Sequence, residues 1–427
     1  VTEMNHDWLS QRLQIRRGQQ IWHYSYDLNG NMISIQAPMP SGALETHYTT
    51  SVKYDTLDRP ILRQAGRRAV PSDKLALYGL VDPNDPNGTV IPTQYKYDEN
   101  PNGIGRLSSV SESNGKTIFT YDARGLVTSE ERSFTILNNQ FSGKRKALHT
   151  YNALGQPHTV TYPDGLTPVE STTVQYTYDD RGLPRQVDWV GRGELGRATY
   201  TAAGGLATRG GPLSHTTTHQ LTNTYDDLGR MVRQHATTLT SGQQATLLDQ
   251  RSAYTGSDDV GSMNTTLGVT PQPVLVGWNF TYDKQHQLIR AAGPLNYLAT
   301  FSYSPAGRIL STDVNAAPEA ARVHRRKVSY DYGLTTGPGD LEAPDRLFDA
   351  TTNAAWMTME YDPAGNVTQR TIQGQPNSWT HVYDGADLQR EVVAPDEASE
   401  LYWYNHERQR TLIVTKSATG TVERVRW

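Results

Sequence analysis

A chain of 427 residues with a formal net charge of −4 offers no electrostatic reason for a nucleic-acid or anionic-membrane partner. No apolar run approaches the roughly 20 residues that cross a bilayer, and without cysteine there is neither a disulfide framework nor a thiolate metal site. Hydrophobic residues make up only 36%, and Tyr, with 24 residues, outnumbers Phe and Trp together, which suits a sheet with a thin core better than a globule with a large apolar one.

In chain order, residues 1–20 are polar, carry no signal-peptide pattern and hold a worn repeat around His6 to Ile15. Residues 21–66 carry two clear units, Tyr26-Asp27 with Gly30, and Tyr54-Asp55 with Asp58 at the glycine position. A long insert near 67–94 reads as a short helix from Ser72 as N-cap to Gly79 as stop, then a loop over 82–88. The units then run from Tyr97-Asp98 (stretched) through Tyr121-Asp122 with Gly125, Tyr151 with Gly155, and Tyr178-Asp179 with Gly182. Tyr200 with Gly204, Tyr225-Asp226 with Gly229-Arg230, and a worn unit at Tyr254 continue the series. Residues 204–211 and 214–219 read as a small-residue connection, and 255–277 as an exposed loop between hairpins. Tyr282-Asp283 (His286 for glycine) and Tyr303 with Gly307 resume the pattern. A helical turn over 316–321, a worn unit at Tyr330 and a long connection over 333–345 follow. Tyr361-Asp362 with Gly365, Tyr383-Asp384 (Asp387) and Tyr404 (Arg408) close the series, and residues 422–427 alternate as one more strand.

Fifteen copies at a mean spacing of about 27 residues mark a repeat architecture. Each unit has a local rationale. Val174, Tyr176 and Tyr178 alternate onto one strand face. The Asp after the tyrosine accepts a hydrogen bond from the backbone two residues on, and Gly supplies the positive φ of a type I turn with a bulge. Asp and His at the glycine position tolerate left-handed φ; Arg408 has no such excuse. One hairpin cannot bury a core alone. The expectation is therefore an all-β fold with about half the residues in strand, one array over 1–427 coiled into a continuous sheet around a hollow. Both ends read as cut from a longer protein.

The recurring Tyr-Asp-x-x-Gly, with Arg230 completing one copy, resembles the YD repeats of Rhs proteins, of the B and C components of bacterial Tc toxins and of teneurins. The resemblance covers about Trp22 to Tyr404. It implies a spiral sheet forming part of a closed shell that encapsulates a C-terminal toxic polypeptide before delivery to a competitor. The partners it implies are that enclosed polypeptide and the remaining shell segments, with secretion or cell-surface display through a bacterial export system. Members of this kind end the shell with an Asp-Pro-x-Gly self-cleavage motif. Asp362-Pro363-Ala364-Gly365 has that spelling, but it sits behind Tyr361 in an ordinary unit and reads as a turn.

The remaining candidate chemistry has plainer explanations. Residues 191–196 spell a dinucleotide fingerprint without the helix that motif needs. His215 and His219 are separated by three threonines with no third ligand nearby. Residues 82–88 lack the closing bidentate acid of a calcium loop, and His324 to Lys327 reads as a solvated basic strand face. No catalytic, cofactor or metal residue is assigned, and the protein is read as a non-enzyme. The alternative reading is a surface protein whose tyrosines and loops bind carbohydrate or a protein partner; a structural spacer in a fibre is a third.

Overall fold

The computed structural model describes residues 2–68, 70–75, 77–78, 80, 90–112, 114–137, 140–162, 172–268, 273–315, 326–332 and 343–426. It is an antiparallel sheet of 33 strands in which sequence neighbours pair. Strand accounts for 61% of the chain and helix for 2%. The cause is visible hairpin by hairpin. Thr172–Tyr178 pairs with Pro184–Trp189, and the register slips by one residue between Thr177 and Tyr178. Gly182 sits there at φ 80°, so the turn has the bulge that its sequence demands. The same slip recurs one residue before Tyr26, Tyr54, Tyr121, Tyr225 and Tyr361.

Several local expectations are corrected. The insert near 67–94 contains a 3₁₀ turn over Ser72–Lys74, capped by Pro71 without a side-chain bond, in place of a helix N-capped by Ser72. A proline N-cap and one turn of i→i+3 bonding suffice because the segment is held by packing, described below. Most of residues 204–211, and residues 217–219, read as parts of a connection, belong instead to the strands Leu206–Pro212 and Thr217–Tyr225. Gly210 and Gly211 belong to the first, where added Cβ atoms would come within 2.3 Å of His219 O and 2.4 Å of Leu195 O; the glycines permit close backbone approach. The expected loop over 255–277 contains the strand Val260–Leu267, paired on both sides. Its Thr and Asn side chains hide a β pattern that apolar counting misses. The expected loop at 82–88 and helical turn at 316–321 lie outside the described residues, as does most of the connection over 333–345.

Contacts divide the chain into two compact units, residues 1–146 with 330–427, and residues 147–329. The first has a hydrophobic core. Ala65, Val70, Leu75, Tyr78 and Leu80 from the first hairpins and the insert pack with Ile136 and Leu137, and with Leu401, Trp403, Leu412 and Val414 from the last hairpins. The second unit has no counterpart among its described residues. Among its described residues the buried apolar side chains are Val174, Ala291, Ala299 and Val328, none larger than valine. Its strands alternate exposed and half-buried positions, as in Gly193–Tyr200. Hydroxyl pairs bridge its strands instead: Thr150 with Thr159 (2.7 Å), Thr161 with Thr173 (2.9 Å) and Ser302 with Ser311 (2.6 Å).

Candidate functional site

The repeated turn is the most regular site in the molecule. Asp226 accepts the backbone N–H groups of Leu228 (3.0 Å) and Arg230 (2.9 Å) through Oδ1. Asp27, Asp55, Asp122, Asp179, Asp283, Asp362 and Asp384 do the same for residues two and four positions on. Asn152 makes the same pair of bonds without charge. Arg230 Nε on the other oxygen, with these N–H groups, holds the Asp226 carboxyl below its usual pKa. Gly30, Gly125, Gly155, Gly204, Gly229, Gly307 and Gly365 all sit at φ between 79° and 92°. Asp98 departs from the pattern: it has positive φ itself and accepts from Gly105 across a longer loop.

The tyrosine has a specific task. Tyr178 Oη donates to Pro157 O (2.6 Å), while the last paired residues at that end of the two strands are Thr159 and Gln175. Pro157 thus lies two residues past the ladder, where its carbonyl would otherwise go unpaired. The geometry repeats for Tyr26, Tyr54, Tyr97 and Tyr121, which donate to Arg12 O, Met32 O, Pro60 O and Leu107 O. Tyr200, Tyr225, Tyr254, Tyr282 and Tyr303 donate to Pro184 O, Leu206 O, Met231 O, Val260 O and Leu288 O. Tyr361 and Tyr404 reach Pro344 O and Gln389 O. Each hydroxyl extends the sheet by one bond where neighbouring hairpins part, which phenylalanine cannot do. Burial raises the pKa of Tyr178, Tyr282 and Tyr303, so the donors stay protonated through neutral pH. Tyr383 instead accepts from Gln389 Nε2 at 3.3 Å. Tyr254, read as worn, is an ordinary member of the series.

The residue after the glycine position ties one turn to the next. Asn31 bonds Asp27 (3.0 Å) and Asp58 (2.7 Å), and Arg59 bonds Asp55 (2.8 Å) and Asp98 (2.9 Å). Arg230 bonds Asp226 and Asp258. The guanidinium groups of Arg59 and Arg230 also lie over the next tyrosines, 4.4 Å from the Tyr97 ring and 4.6 Å from that of Tyr254.

In the first unit some of these residues do a second job. Arg68, almost fully buried, binds Asp362 (3.0 Å) and Asp387. Burial opposes its cation, and the two carboxylates more than offset this, so its pKa rises. Lys74 and Tyr78 both bind Glu391, Arg390 binds Asp384 (2.7 Å), and Arg132 binds Glu112 (2.6 Å) and Tyr404 O. Asp362-Pro363-Ala364-Gly365 is therefore a turn whose carboxylate is engaged by Ala364, Asn366 and Arg68. His215 and His219 do not pair: the first lies exposed in a turn, and the second is in a strand. Among the described residues no cluster of three or more His, Asp or Glu could hold a metal ion. No helix there is long and apolar enough to cross a membrane.

No protein-family model matches the sequence, and no curated protein matches it. Solved structures do. The crystal structure of TcdB2–TccC3–Cdc42 is 12% identical and aligns with 99% of this chain at a TM-score of 0.50. The fold is shared with the Tc toxins. The crystal structure of TcdB2–TccC3 is also 12% identical, over 99% of this chain at a TM-score of 0.42. The Photorhabdus luminescens Tc holotoxin pore is 13% identical, over 100% at 0.40. In each case the chain spans 26% of the neighbour's length.

Proposed function

We propose that this chain is a wall segment of an Rhs-type toxin shell, and that it acts by enclosing a polypeptide and not by catalysis. The observation that carries the reading is the second unit, residues 147–329: its tyrosine-pinned hairpins are stabilised within the sheet and at their turns, with no apolar core among the described residues. A globular domain of that size normally closes over a core; a wall need not. The orientation of the motif tyrosines supports enclosure over carbohydrate recognition, since their hydroxyls are spent on neighbouring hairpins and their rings are half-buried. Secretion or surface display follows from the same reading, as does a toxic polypeptide as the enclosed partner.

The test uses the full-length protein that carries this segment. It is treated with a broad-specificity protease while the enclosed polypeptide is followed by mass spectrometry. Survival far beyond that of the same polypeptide free in solution is expected. Degradation at the free rate contradicts the proposal.

A further inference from the structure

Inside the first unit, a cleft of about 240 Å³ opens between the early strands and the last turns. Trp22, Met32, Ile35 and Val52 form an apolar wall, Arg63 continues the same sheet face as the cross-strand partner of Val52, and Arg408 lines the cleft from the last turns. The same two arginines line an adjoining polar cavity of about 40 Å³ with Asn114 and His406.

Three observations mark this place as built for a ligand. First, the Arg63 side chain makes no hydrogen bond or ion pair with any described residue, while the acids around it are engaged by other cations: Asp387 by Arg68, Asp384 by Arg390 and Glu112 by Arg132. Second, Arg408 occupies the glycine position of its turn at φ 67°, a left-handed conformation that arginine adopts at a cost. The strain places its side chain in the cleft, where it also donates to Ala386 O. Third, the Nδ2 of Asn114 (7% exposed) and the Nδ1 of His406 are buried without partners. Buried polar groups in native proteins are normally paired, with protein, water or a ligand.

We propose that this cleft binds an organic carboxylate with a compact apolar body. The carboxylate pairs with the Arg63 fork beside Arg408, and the body lies on the Trp22–Ile35 wall. A guanidinium matches a carboxylate through two parallel N–H bonds. Arylcarboxylates and the free C-terminus of a peptide ending in an apolar residue share this chemistry. The inference is independent of the shell reading.

Isothermal titration calorimetry of the full chain with N-acetyl-phenylalanine tests it, with the uncharged N-acetyl-phenylalanine amide and inorganic phosphate as comparison probes. Saturable 1:1 binding of the acid is expected, at least tenfold tighter than of either comparison probe. Arg63→Gln should weaken it at least tenfold. Ile35→Trp, which fills the cleft from its apolar wall, should abolish it, with unchanged circular dichroism in both variants. An acetylated dipeptide ending in free phenylalanine, which binds only if the cleft admits a peptide terminus, separates the two sources of the carboxylate. Absence of saturable binding, equal binding of acid and amide, or unchanged affinity in Arg63→Gln overturns the proposal.

Discussion

The two units spell the same repeat and stabilise it differently. In residues 147–329 the hairpins are held by what lies within the sheet: Asp-capped turns, tyrosine hydroxyls and threonine pairs. In the other unit the same turns frame a core and a buried ionic network, so that Asp362, Asp384 and Asp387 serve both a turn and an arginine. The comparison shows that the tyrosine turn specifies a hairpin and its neighbour. The core of the first unit draws on its insert through Val70, Leu75, Tyr78 and Leu80.

That division can be tested from its strongest element downward. Trp403→Ala empties the centre of the core and should cost about 3–5 kcal/mol in urea unfolding. The corresponding change in the second unit, Val174→Ala, should cost only about 1–2 kcal/mol. Arg68→Met leaves two carboxylates facing an apolar side chain and should cost about 3 kcal/mol. A double variant that also replaces Asp362 should recover part of that loss. Tyr225→Phe removes a single hydroxyl bond and should cost about 1 kcal/mol, with matching losses for Tyr200→Phe and Tyr282→Phe if the hydroxyls are equivalent.

A pH effect is the smallest and the most local. The Asp226 pKa is depressed in the folded state, so its contribution is complete above the unfolded value near 4 and is lost as pH falls through the folded value. The Leu228 and Arg230 amides should therefore exchange faster on acidification, relative to intrinsic rates. The Leu154 and Gln156 amides, held by neutral Asn152, should not. Equal acid sensitivity at both turns would remove the carboxylate from the explanation.

Much of this was legible in sequence because the turn is local. Tyr, Asp and Gly at fixed offsets determine the hairpin, its bulge and its positive φ. Turns that lack both the tyrosine and the acid of the motif escaped notice. Residues 394–398 and 417–421 form the same closed turn, with positive φ at Glu397 and Gly420, but lack the tyrosine and the acid. The task of the tyrosine hydroxyl could not be read either, since its acceptor lies 14 to 37 residues away. The core was hidden for a related reason. Val70, Leu75, Tyr78 and Leu80 are scattered through a segment rich in Pro, Asp and Gly, and their partners Leu401 and Trp403 are more than 300 residues on. Arg408 was the one visible anomaly, a cation where the turn calls for glycine, and it points to the cleft.

The most direct measurement is hydrogen exchange by mass spectrometry on the full chain and on two variants, Trp403→Ala and Tyr225→Phe. If a core stabilises one unit and the turns the other, Trp403→Ala will speed exchange in residues 63–80 and 401–414 together. Tyr225→Phe will act only on strands 206–212 and 217–225 and the strand following them. Loss of protection at 401–414 with none at 63–80, or a Tyr225→Phe effect no larger than at an unbonded exposed tyrosine, would contradict the account.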